Sequence, residues 1–180
     1  MENKQLEFKG KGFKAARASF SGDAALQGLL DIARSHIPAA AVHVDATDNR
    51  ELWHRSRIRW ESDSLKGRGP KSLEVYYHSF EVLLPVLAHE VGHLETIPEL
   101  GGIEYYSAGG SCQYRCEYFA SRWALGYLRA AGMGLKELRA AQAQLQSCLD
   151  NYQARLEVSQ RAVLDFKDSP AMKAGERKGC

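Results

Sequence analysis

Ala88-His89-Glu90-Val91-Gly92-His93-Leu94 carries the pattern H-E-x-x-H in an apolar, helical setting. Residues four apart on a helix stand one turn above each other, so His89 and His93 share a face. Two imidazole nitrogens on one face can reach a single ion at the roughly 2.0–2.1 Å that zinc prefers. Glu90 is turned by about 100° from His89. It is too far round to share the ion comfortably and well placed to take a proton from water, the general-base position. With 6 His and 14 Glu in 180 residues, random placement yields such a pattern in about 1–2% of chains of this composition. Gly92 removes a side chain where another segment can approach the helix.

Upstream of this stretch, Leu73, Val75 and Tyr77 alternate with Glu74, Tyr76 and His78, the period of a strand. Ser79 can cap the helix that follows, expected over 80–94, and Pro85 requires that helix to start near it or to kink. Ile58 and Trp60 alternate with Arg57, Arg59 and Glu61 in a second, half-buried strand, and 41–44 reads as a third. Ser21 and Asp23 offer caps for a helix over 24–36, whose Leu26, Leu29, Leu30 and Ala33 recur at three and four residues.

Downstream, Pro98 and four glycines make 97–110 a loop. A helix is expected over 112–131, ending at Gly132, and a last, long helix over 135–167. Helix, three strands, then three helices is a segregated order that indicates an α+β domain with a small three-stranded sheet. The domain spans 21–168; residues 1–20 form an N-terminal extension and 169–180 a polar tail, both read as disordered at least in part.

A hydrolytic zinc site takes three protein ligands and keeps one position open. Glu117 is the better-placed third ligand. It lies on the next helix, where Ala120, Ser121 and Ala124 follow at +3, +4 and +7 on the same face and let that helix pack tightly against the His helix. Glu99 stands where the longer signature H-E-x-x-H-x-x-G-x-x-H has its last ligand. Thr96 replaces the glycine that signature needs, and Met133 is a weak match to its Met-turn. Glu95 and Glu104 are the remaining acidic candidates.

LAHEVGHL after a strand, followed by CEYFASRWAL on the next helix, resembles the gluzincin branch of the zincin metallopeptidases. Over about 72–126 the chain is most similar to small soluble peptidases of the ImmA/IrrE type and, in its E-x-x-A-[DS]-x-x-A pattern, to the catalytic domain of HtpX-like proteases. It departs from the first in having Tyr118-Phe119 after Glu117. It departs from the second in having Ser121 where an aspartate is usual, and in lacking membrane helices. The resemblance implies a zincin-like fold, a zinc ion held by His89, His93 and Glu117, and water activation by Glu90. It also implies an edge strand near 73–78 lying along the substrate cleft. Tyr105, Tyr106, Tyr114 and His78 are the candidate oxyanion donors.

Composition narrows the alternatives. Lys+Arg is 24 and Asp+Glu 22, a net charge of +2, which gives no concentrated positive field for nucleic acid or a membrane surface. The longest apolar run, 82–88, is far shorter than the roughly 20 residues of a membrane span. The polar N-terminus lacks an apolar signal core, and four cysteines do not make a disulfide framework. The chain therefore reads as cytoplasmic, with reduced thiols at Cys112, Cys116, Cys148 and Cys180. His36, His43 and His54 are scattered and read as structural or surface residues, and the turn around Gly67 and Gly69 lacks phosphate-loop spacing.

On the last helix, Leu138, Leu145, Tyr152 and Phe166 follow a seven-residue spacing, with Leu149, Leu156 and Val163 beside them. That stripe either folds back on the domain or meets a second copy or partner. The expected activity is a zinc-dependent endopeptidase acting on a narrow set of protein or peptide substrates. The other two readings are a catalytically silent metal-binding interaction module that uses helix 135–167, and a zinc hydrolase of a non-peptide amide or ester.

Overall fold

The computed structural model describes residues 20–49, 55–60 and 69–167. Residues 1–19 of the expected extension and the expected tail, with His54, Gly67 and Cys180, lie outside the described residues, while Phe20 packs against the core. Among the described residues, five α-helices and a three-stranded mixed sheet give the α+β class expected from the sequence.

Helix α1 (Gly22–His36) begins where Ser21 Oγ accepts the Ala24 N–H, and it buries Ala25, Leu29 and Ala33. Strands β1 (Val42–Ala46), β2 (Arg57–Trp60) and β3 (Pro70–Tyr77) form a sheet of order β1-β3-β2, with β3 parallel to β1 and antiparallel to β2. The expectation of an edge strand at 73–78 is therefore corrected: β3 is central, and its Leu73 and Val75 are fully buried. The strand beside the cleft is the short β2. Its Arg57 and Arg59 reach across to Glu74 at 3.2 and 2.7 Å, and charged residues of this kind suit an exposed edge. Burial works against ionisation of Glu74, but the two guanidinium groups, Arg59 first, hold its carboxyl below the usual carboxylate range.

Helix α2 (Phe80–Leu100) passes through both Pro85 and Pro98, so it starts before the first proline and outlasts the expected end at 94. Each proline removes an intrahelical donor. Packing compensates: Thr96, Ile97 and Leu100 are buried, and Ile97 and Leu100 join Cys116 and Phe119 in an apolar cluster. The loop expected over 97–110 is thus mostly helical, since a short helix α3 (Ile103–Ser107) follows. Gly101 and Gly102 precede it and Gly109 and Gly110 follow it, all four at positive φ, where a side chain would be strained.

Helix α4 (Gly110–Ala130) packs along α2 through the expected stripe, with Ala120, Ser121 and Ala124 all buried. Helix α5 (Leu135–Arg155) packs on both, burying Leu138, Ala141, Leu145 and Leu149. It ends at Arg155 and not at 167. Glu157 takes a φ of 55°, the Val158 N–H donates to the Gln153 carbonyl and the Glu157 N–H to that of Ala154. This is a Schellman ending with Glu in the place usually held by Gly.

The chain then runs back along the glutamine-rich face of α5. Gln146 donates to the Ala162 carbonyl at 3.0 Å and accepts from the Leu164 N–H at 2.8 Å, and Gln142 donates to the Leu164 carbonyl. Tyr114 Oη accepts the Ala162 N–H, and Arg161 forks onto Asp150. The apolar stripe of α5 is filled from within the chain. Among the described residues, no helix is long and apolar enough to cross a membrane.

Candidate metal centre

Three side chains from α2 and α4 converge. His89 Nε2 lies 3.1 Å from His93 Nε2 and 3.1 Å from Glu117 Oε2, and His93 Nε2 lies 3.3 Å from the same oxygen. The imidazoles meet edge to face, 4.7 Å between ring centres at 81°. Close helix approach is what brings Glu117 in. A Cβ on Gly92 would lie 2.5 Å from the Ala120 carbonyl oxygen, so only glycine lets the two backbones come this near.

Metal fit follows from these distances. The edge of a tetrahedron is about 1.63 times its centre-to-corner length, so ligand bonds of about 2.0–2.1 Å put ligand atoms about 3.3–3.4 Å apart. The three separations fall close to that edge. The donor chemistry agrees: a carboxylate only accepts, and an imidazole nitrogen without its proton also only accepts. Three acceptors crowded together in a buried place call for a shared cation or for protons. His89 Nδ1 lies 3.0 Å from Ser121 Oγ, a contact that directs Nε2 toward the group. His93 Nδ1 is buried and has no hydrogen-bond partner among the described residues. The group can hold a metal ion.

Glu117 is 1% exposed. Burial disfavours its charge, but the two imidazoles, His93 first, outweigh that and hold its carboxyl well below the usual carboxylate range. Its other oxygen accepts from the Tyr106 hydroxyl at 2.7 Å, and Gln113 Nε2 donates to that hydroxyl at 3.0 Å. Burial, and then the Glu117 charge, push the Tyr106 phenol far above its ordinary range. Glu90 is 8% exposed. Burial pushes its carboxyl up to about 7, with His89 opposing the rise and the Glu117 charge adding to it.

Above the group lies a cleft of about 280 Å³, bounded by Val86, His89 and Glu90 of α2 and by Leu145, Cys148 and Tyr152 of α5. A smaller recess of about 100 Å³ adjoins it, reaching His93, Tyr106 and Glu117 below and Ile58 and Trp60 of β2 at its side. Glu90 and Tyr152 line both. The Arg155 guanidinium sits 4.4 Å over the Tyr152 ring.

The structure brings together His89, Glu90, His93 and Glu117 from the sequence reading. The other acidic candidates are elsewhere: Glu99 and Glu104 are exposed, and Glu95 pairs with His36 Nε2 at 2.7 Å. Of the oxyanion candidates, Tyr114 is engaged with Ala162, Tyr106 with Glu117, and His78 is exposed outside the cleft described. Two residues were missed. Ser121 reads in the sequence only as a small residue, although its place four after Glu117 puts it on the same face. Tyr152 reads as packing, because nothing local shows that α5 walls the cleft. Cys148 is exposed on that wall, and desolvation there holds its thiol above the ordinary range. Cys116 is buried, and that burial pushes its thiol up to about 12.

Set against family profiles, curated proteins and solved structures, the chain gives no match. Its class is therefore defined by fold and site alone: an α+β domain in which two helices present a His–His–carboxylate group, with a buried glutamate beside it, to an open cleft.

Proposed function

We propose that this chain is a zinc-dependent peptidase of the H-E-x-x-H type, similar to the soluble gluzincins. The observation that carries the reading is the convergence of His89, His93 and Glu117 within 3.1–3.3 Å of one another in the recess beside the cleft, which Glu90 also lines. Two imidazoles and a carboxylate suit zinc. An ion held there supplies Lewis acidity, which polarises a carbonyl and makes water a nucleophile at neutral pH.

The chain's own groups do the rest. Glu90 takes the proton of the attacking water and delivers it to the leaving amine. Ser121 keeps the His89 ring in the orientation that turns Nε2 inward. Tyr152, which lines both parts of the cleft, is the donor assigned to the oxyanion. The edge of β2 that is unpaired among the described residues offers backbone groups to an extended peptide.

An interaction module built on α5 has less support, because the stripe it would use is occupied by α2 and α4. The test compares wild type and Glu90→Gln, both loaded with zinc, in a proteome-wide cleavage assay. Peptide bonds cut by wild type alone support a peptidase; indistinguishable products reject it.

A further inference from the structure

We infer that Tyr106 is a positioning residue for the metal: its hydroxyl ties down one oxygen of Glu117 and so presents the other, alone, to the ion. The inference rests on the reading of the group as a metal centre.

The two oxygens of Glu117 have different surroundings. Oε2 faces His89 and His93, at 3.1 and 3.3 Å, and Oε1 accepts the Tyr106 hydroxyl at 2.7 Å. Gln113 Nε2 donates to the Tyr106 oxygen, which leaves the phenolic proton to point at Glu117. The same ring packs edge-on against His93, with 5.8 Å between ring centres at 84°. Tyr106 therefore touches two of the three ligands from outside the ligand set.

Its placement is specific to this chain's connection between the ligand helices. The five residues of α3 lie between two glycine pairs, and all four glycines hold positive φ. The chain can thus turn sharply out of α2, set Tyr106 into the recess, and turn again into α4. A carboxylate with one oxygen occupied binds an ion through the other. A carboxylate free to rotate can offer both oxygens, and the second would take up the position that catalysis keeps open.

Tyr106→Phe keeps the ring and removes the hydroxyl. In the full-length protein, zinc affinity is read by competition with a chromophoric chelator. Coordination is read from the visible spectrum of the cobalt(II)-loaded protein, with circular dichroism showing that the variant is folded at the working temperature. The expected result is about a 10- to 100-fold loss of zinc affinity, together with weaker cobalt bands, as Glu117 swings to two-oxygen binding and the coordination number rises. Gln113→Leu, which leaves the phenolic donor in place, is expected to lose less.

Wild-type affinity and a superimposable cobalt spectrum in Tyr106→Phe would overturn the inference while leaving the metal centre intact. So would a fall in affinity with an unchanged spectrum, or an equal loss in both variants. Failure of wild type itself to take up zinc or cobalt would overturn both the inference and the reading beneath it.

Discussion

Gly92 and Ala120 meet backbone to backbone: a Cβ added to Gly92 would lie 2.5 Å from the Ala120 carbonyl oxygen and 3.0 Å from its Cα. The contact sets the spacing between α2 and α4, and so the distance from His89 and His93 to Glu117. Replacing a mid-helix glycine with alanine ordinarily stabilises by about 0.5–1 kcal/mol. Here Gly92→Ala must force the helices apart, an overpacking cost of about 1–3 kcal/mol. A urea melt is expected to show a net loss of stability, and a zinc titration a weaker site. A more stable variant would show that the helices do not rely on this contact.

Glu90 is expected to reveal its burial in the pH dependence of the metal-free protein. Its carboxyl titrates near 7 in the folded chain, against 4.5 when unperturbed. Between those values the unfolded chain releases a proton that the folded chain keeps. Stability therefore falls as pH rises from about 4.5 to 7 and stays lower above. Glu90→Gln removes that titration. With chelator present, the variant should be more stable than wild type at pH 8, by on the order of 3 kcal/mol, and the gap should close near pH 4. Loaded with zinc, it should lose peptide hydrolysis by roughly 10²-fold or more. Identical stability curves for the two proteins would place Glu90 in solvent.

Tyr152→Phe separates oxyanion stabilisation from metal binding. The ring under the Arg155 guanidinium remains and only the hydroxyl, with its hydrogen bond to Arg155, is lost, so zinc content should match wild type. Loss of the hydroxyl should lower kcat by roughly 10²–10³-fold with little change in KM. An unchanged kcat would remove Tyr152 from the mechanism.

Glu157 ends α5 in a left-handed conformation with φ 55°, which costs a residue bearing a Cβ about 1–2 kcal/mol. Glu157→Gly is expected to raise stability by about 0.5–1 kcal/mol, since glycine's gain there is partly offset by its greater freedom in the unfolded chain. Chemical denaturation measures this directly, and a destabilised variant would mean that Glu157 makes contacts worth more than the strain.

What the sequence made legible was local. His89, Glu90 and His93 lie within five residues on one helix, and the stripe Ala120, Ser121 and Ala124 announced a close helix pair with Glu117 on the same face. What it hid was set by tertiary packing. Pro98 marks a break in any local reading, yet burial of Ile97 and Leu100 carries α2 past it. No glycine or proline stands between 135 and 167 to stop α5. The stop at Arg155 comes from a strained Glu157 and from Gln142 and Gln146, which bind the returning backbone. The order β1-β3-β2 also depends on long-range pairing, which is why β3 reads from its pattern as readily as an edge as a centre.

The account depends above all on one divalent ion bound by His89, His93 and Glu117. Zinc K-edge X-ray absorption of the purified, zinc-loaded protein, with metal analysis of the same sample, tests this most directly. One zinc per chain is expected, with two imidazole nitrogens and carboxylate oxygen at about 2.0–2.1 Å and loss of the imidazole signal in His89→Ala/His93→Ala. Substoichiometric zinc, or zinc without imidazole in its coordination shell, would contradict it.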